Sequence, residues 1–111
     1  MHVSDLDGVS TLESGSKWRA TITVTVVDVN GNAVSNATVS ATWSGGLSGT
    51  ASCTTAGNGQ CSLVSNKLTS SETSVTLTVN SVTHAAHAYQ AGDNADPDGD
   101  SNGTTITVSK P

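Results

Sequence analysis

The chain has no Phe, only two Trp and one Tyr, and just four Lys and Arg among 111 residues. A chain this short forms one domain, with a core assembled from small aliphatic side chains. The scarcity of basic residues excludes a nucleic-acid-binding or anionic-membrane-binding role, since both need basic patches. No apolar run is long enough to span a bilayer, and no signal peptide or lipidation motif is present. No window keeps a 3.6-residue apolar period, so helices are not expected. Gly-x-Ser-x-Gly, HExxH and phosphate-cradling glycine loops are missing too. The chain therefore reads as a non-enzyme.

What is present is Thr, Ser and Val in alternation, which suits half-buried pleated surfaces. From Lys17 to Val27, the residues Trp18, Ala20, Ile22, Val24 and Val26 share one face. Ala37, Val39, Ala41 and Trp43 form the next such set, Val75, Leu77 and Val79 another, and Ile106 with Val108 the last. Further short strands are expected over 49–54, 60–64 and 84–90. Seven strands with turn signals every 8–12 residues or so predict an all-β, immunoglobulin-like β-sandwich of antiparallel strands. A small up-and-down barrel is the structural alternative. The expected layout is an N-terminal acidic segment and turn (1–16), a sandwich body (17–90), an acidic loop (91–103) and a final strand (104–111).

Cys53 and Cys61 flank a turn around Gly57-Asn58-Gly59. Two hairpin strands would bring their sulfurs together, so a disulfide is expected, and with it an oxidising, extracellular setting. His84 and His87 would point to opposite faces of a strand. Both tryptophans fall in phase with the apolar faces, which favours core packing over sugar stacking.

The net charge of −5 is unevenly spread. Six of the nine acidic residues (Asp5, Asp7, Asp93, Asp96, Asp98 and Asp100) lie in two segments. Asp96, Asp98 and Asp100 alternate, as calcium ligands do in the first half of an EF-hand loop. The EF-hand itself is excluded, because its glycine position holds Ser101, its glutamate position holds Thr107, and a strand follows. The remaining oxygens would come from Asp5, Asp7, Asp93, Asn102 and backbone carbonyls. Carboxylate oxygens disfavour zinc and copper. An ordinary solvated turn is the competing reading, since Asp, Asn, Gly and Pro favour turns anyway.

The stretch Asp28-Val29-Asn30-Gly31-Asn32-Ala33-Val34, followed by Ala37-Thr38-Val39, resembles the D-x-x-G-x-x-V pattern of bacterial Ig-like domains of the invasin and intimin type. Thr54-Thr55-Ala56-Gly57-Asn58-Gly59-Gln60 is similar to their T-D-x-x-G hairpin, with Ala56 in place of the usual acidic residue. The resemblance covers about residues 17–90 and bears on fold more than on activity. The acidic flanks look more like accessory domains near the C-termini of secreted bacterial hydrolases. That resemblance implies an appendage cut from a longer chain whose catalytic domain is its partner; with the calcium reading of the acidic loop, the expectation is a monomeric, calcium-stabilised spacer module. The alternatives are a targeting module that binds polysaccharide or protein substrate, and an adhesin repeat.

Overall fold

A computed structural model describes residues 1–95 and 101–111. Among these residues seven strands form: β1 (His2–Leu12), β2 (Trp18–Val27), β3 (Thr38–Gly45), β4 (Gly49–Thr54), β5 (Gln60–Val64), β6 (Ser74–Thr83) and β7 (Thr105–Ser109). They pair antiparallel in two sheets, ordered β1-β2-β5 and β4-β3-β6-β7. The chain is thus an all-β sandwich. Its fourth strand sits beside the third, not beside the fifth as in constant-type immunoglobulin domains.

β2 shows why. Its five alternate apolar residues are all fully buried, while Arg19 and the threonines between them stay half-exposed. Across the sandwich they meet Val39, Ala41, Trp43, Val75, Leu77, Val79, Ile106 and Val108 in one core. Trp18 and Trp43 are both buried, so neither offers a ring to a ligand.

The strand count matches the expectation, but two strands differ from it. The N-terminal segment, read as acidic turn, is strand β1 paired along β2. A bulge between Val3 and Asp5 shifts its phase, so the buried residues Val3 and Leu6 stand three apart and break the alternation. Gly8 then takes an inward position opposite Ile22. A Cβ there would lie 2.6 Å from Val108 Cγ2 and 3.1 Å from Ile106 Cδ1. The missing side chain is what lets β1 close over β7.

Conversely, residues 84–90 form no strand. Alanines supply most of their apolar positions, and Ala85, Ala86 and Ala88 are exposed. β6 instead runs on to Thr83 through a register shift beside Ser40, which turns Val82 into the core. Freed from a strand, His84 and His87 do not point apart. Their ring centroids lie 4.9 Å from one another, edge to face.

The disulfide Cys53–Cys61 is present, with Cα atoms 5.8 Å apart. The hairpin expected to carry it is not. A tight turn does link the two strands, with Gly59 N–H donating to Ala56 O. But β4 pairs with β3 and β5 with β2, so the bond joins the edges of opposite sheets. Cys53 pairs across from Val39 and Cys61 from Val24, which places both sulfurs on the core side. Replacing both cysteines by Ser should lower unfolding free energy by about 2.5 kcal/mol, the chain-entropy value for so short a loop. Urea denaturation of the pair variant checks this; an unchanged midpoint would deny the cross-link a stabilising role.

Among the described residues two polar side chains are buried, and each is satisfied. Thr55 Oγ1 donates to Val34 O and accepts from Ala37 N, pinning the β2–β3 connection. Ser65 Oγ accepts from Ala20 N and donates to Asn66 O, extending β5 along β2.

Candidate functional site

The acidic segments are best located from the backbone that carries them. At the start of β1, Met1 and Val3 are tied by three hydrogen bonds to the segment that leads up to Asp96. The Met1 amino group donates to Ala88 O, Gln90 N to Met1 O, and Ala95 N to Val3 O. Asn94 sits at the centre of these ties. Its Oδ1 accepts from Val3 N at 2.8 Å, and its Nδ2 donates to Tyr89 Oη at 2.6 Å and Thr104 Oγ1 at 3.0 Å.

The chain on the far side of the loop is held to the same place. Thr104 O accepts from Val79 N, which anchors the turn on β6. Gly103 has φ +84°, and a Cβ there would lie 2.6 Å from Ala95 N. Only glycine fits both the left-handed backbone and the contact. The two flanks of the acidic loop therefore meet backbone to backbone, beside the beginning of β1.

Asp5 and Asp7 lie on the outer face of β1, either side of the buried Leu6 and opposite Thr25 and Thr23. Asp93 is exposed at the end of a single 3-10 turn, Ala91–Asp93. Asn102 is exposed, and its Oδ1 already accepts from Thr104 N at 2.9 Å and Thr105 N at 2.6 Å. That oxygen shapes the turn that leads into β7. Asp96, Asp98 and Asp100 lie outside the described residues. Among the described residues no three His, Cys, Asp or Glu side chains gather as a metal site.

Sequence reasoning missed Asn94, Tyr89 and Gly103. An isolated Asn in a polar stretch carries no signal of its own, because its partner Val3 lies 91 residues away. The Tyr89 ring packs against the core and its hydroxyl accepts from Asn94.

Two other places hold polar groups. Asp28 Oδ1 accepts from Asn30 N and Asn32 N, forming a side-chain-closed turn after β2. The Asn32 N–H, with that of Asn30 and the charge of His87, holds the Asp28 carboxyl below its ordinary value, against the opposing pull of desolvation. The carboxylate form of this turn thus persists to lower pH than that of an ordinary Asp and is lost as pH falls through the lowered value. At the far end of β1, Leu12, Glu13, Ser16, Ser70, Lys110 and Pro111 line an open cleft of about 500 Å³. Lys110 Nζ donates there to Ser70 O, and Glu13 pairs with Arg19 nearby. Among the described residues no helix is long and apolar enough to cross a membrane. No family model, curated protein or solved structure matches the chain.

Proposed function

We propose that the chain is a non-catalytic, calcium-stabilised, immunoglobulin-like module of a larger secreted bacterial protein. It would act as a spacer or accessory domain beside a catalytic domain, with a hydrolase as the expected parent. The observation that carries this is the hydrogen bond from Ala95 N to Val3 O. Asp96 follows Ala95 directly and Asp5 is two residues beyond Val3, so the two acidic segments set out from one point. Like charges brought together there would repel by about 1 kcal/mol or more per close pair at surface dielectric. A divalent cation reverses that sign.

Calcium suits this donor set of carboxylates, and Asp5, Asp7, Asp93, Asp96, Asp98 and Asp100 are the proposed ligands, the Asn102 Oδ1 being already engaged by two backbone N–H groups. An ion that binds only the folded state stabilises it by RT ln(1 + [Ca²⁺]/Kd), about 2.7 kcal/mol at a hundredfold excess over Kd. Met1 is tied down at the acidic end and Lys110 at the opposite end, in a body 44 Å long. The disulfide fits an oxidising compartment.

Isothermal titration with calcium tests the reading directly. One ion per chain is expected, with magnesium binding far more weakly. No heat from calcium would remove the ion from the account. The targeting reading is less well supported, because both tryptophans are core residues and Tyr89 is engaged by Asn94. Retention on insoluble chitin, cellulose or collagen would put it first.

A further inference from the structure

Three Asn-Gly steps occur in the chain: Asn30-Gly31, Asn58-Gly59 and Asn102-Gly103. Glycine gives an asparagine the least hindered backbone nitrogen to react with, so the local chemistry is the same at all three. We propose that Asn30 is a site of spontaneous deamidation in the folded protein, and that the fold protects Asn58 and Asn102.

The reaction needs only water. The Gly31 nitrogen loses its proton to solvent and bonds to Asn30 Cγ. The Cγ–Nδ2 bond breaks, and the nitrogen leaves as ammonia after taking up a proton. Water then opens the five-membered imide at one of its two carbonyls. The product at position 30 is an aspartyl or an isoaspartyl residue. One water is consumed, one ammonia is released, and a neutral amide becomes a carboxylate that is ionised at neutral pH.

The turns around Asn30 and Asn58 form a matched pair. In each, the glycine has a left-handed backbone, φ +82° at Gly31 and +76° at Gly59. In each, the glycine N–H donates to the carbonyl three residues back, at 3.0 Å to Asp28 O and 2.9 Å to Ala56 O. That hydrogen bond slows both sites equally and does not distinguish them.

The surroundings do. Asn58 Oδ1 accepts from Gln60 N, and its Nδ2 donates to Gln60 Oε1. Gly59 is buried, with the site of a Cβ 2.7 Å from Val26 O and 3.0 Å from the Ala33 Cβ. The backbone swing that brings nitrogen to Cγ has no room there. Asn102 is held more firmly, by two backbone N–H groups on its Oδ1 and by Gly103 wedged against Ala95. Asn30 and Gly31 are both exposed, and nothing lies within 4 Å of where a Gly31 Cβ would be. The Asn30 carboxamide makes no hydrogen bond among the described residues; its backbone N–H is the group that Asp28 holds. The product carboxylate would stand beside Asp28, in a turn already closed by one carboxylate.

The test is to age the folded, disulfide-bonded protein in mildly alkaline buffer and follow all three sites by peptide mass spectrometry. A parallel sample is aged after reduction in concentrated urea. In the folded protein Asn30 should convert about tenfold or more faster than Asn58 and Asn102, whose reaction first requires breaking their hydrogen bonds. In urea the three rates should draw together. The proposal is overturned if Asn58 or Asn102 converts as fast as Asn30 in the folded protein. It is equally overturned if Asn30 leads by the same ratio in urea, because the preference would then belong to the sequence and not to the fold.

Discussion

Trp18→Ala should lower the unfolding free energy by about 4 kcal/mol, a large share of the margin of a small domain. Trp18 is the largest fully buried side chain. Its backbone exchanges two hydrogen bonds with Leu68, at 2.9 and 2.7 Å, which brings the β5–β6 connection onto β2. Its indole Nε1 donates to Glu72 O at 2.9 Å, tying down the same connection a second time. Truncation leaves a cavity among small aliphatic neighbours that cannot collapse far, and it leaves the Glu72 carbonyl without that donor. Trp18→Phe should cost less, about 1–2 kcal/mol, because much of the ring volume remains and the hydrogen bond is lost. Urea denaturation of both variants gives the two values. A tryptophan serving as a surface platform would show little loss in either, so the pair of substitutions separates the two roles.

Asn94→Ala should cost about 3 kcal/mol, from three hydrogen bonds worth about 1 kcal/mol each. The loss should also be local in a recognisable way. Val3 N–H loses its acceptor, and Tyr89 and Thr104 lose the donor that holds them to the start of β1. Amide hydrogen exchange should therefore speed up at Val3 and Ala95 before it does in β2 or β6. Tyr89→Phe removes one of the three bonds and should cost about 1 kcal/mol. The double variant should cost less than the sum, because the two share a bond. Exchange that rises uniformly across both sheets would mean that Asn94 is not a local tie.

Much of the sandwich was legible because its central strands obey the period of two without interruption. β2 and β3 read directly from their alternation, as did the first half of β6 and the last strand, β7. β1 did not, and the reason is specific. Its bulge puts Val3 and Leu6 out of phase, and the inward positions that follow hold Gly8 and Ser10. A strand whose inward residues are a glycine and a serine carries no hydrophobic signal, yet Gly8 is there because β7 leaves no room for more. The reverse error at 84–90 arose because alanines mimic alternation without burying enough surface to hold a strand. The cysteine pair was legible, but not the sheets it joins. Seven intervening residues suit a hairpin and a sheet-to-sheet crossover equally well, and partner choice is decided by β3 and β2. At the candidate site, the N-terminus meets the flank of the acidic loop through backbone hydrogen bonds, which the charge pattern of the sequence does not encode. Asn94, which makes that meeting, depends on neighbours far away in the chain and left no trace in it.

The most direct measurement is a thermal melt of the domain in EDTA, in magnesium and in calcium, repeated for Asp98→Ala. At a hundredfold excess over Kd, calcium should raise the midpoint by roughly 10 °C, from about 2.7 kcal/mol of linkage and the usual entropy of a domain this size. Magnesium should do little, and Asp98→Ala should melt alike with and without calcium. Coincident curves in calcium and EDTA would contradict the account, and so would a shift that magnesium reproduces or that survives in Asp98→Ala. The acidic loop would then be a solvated turn.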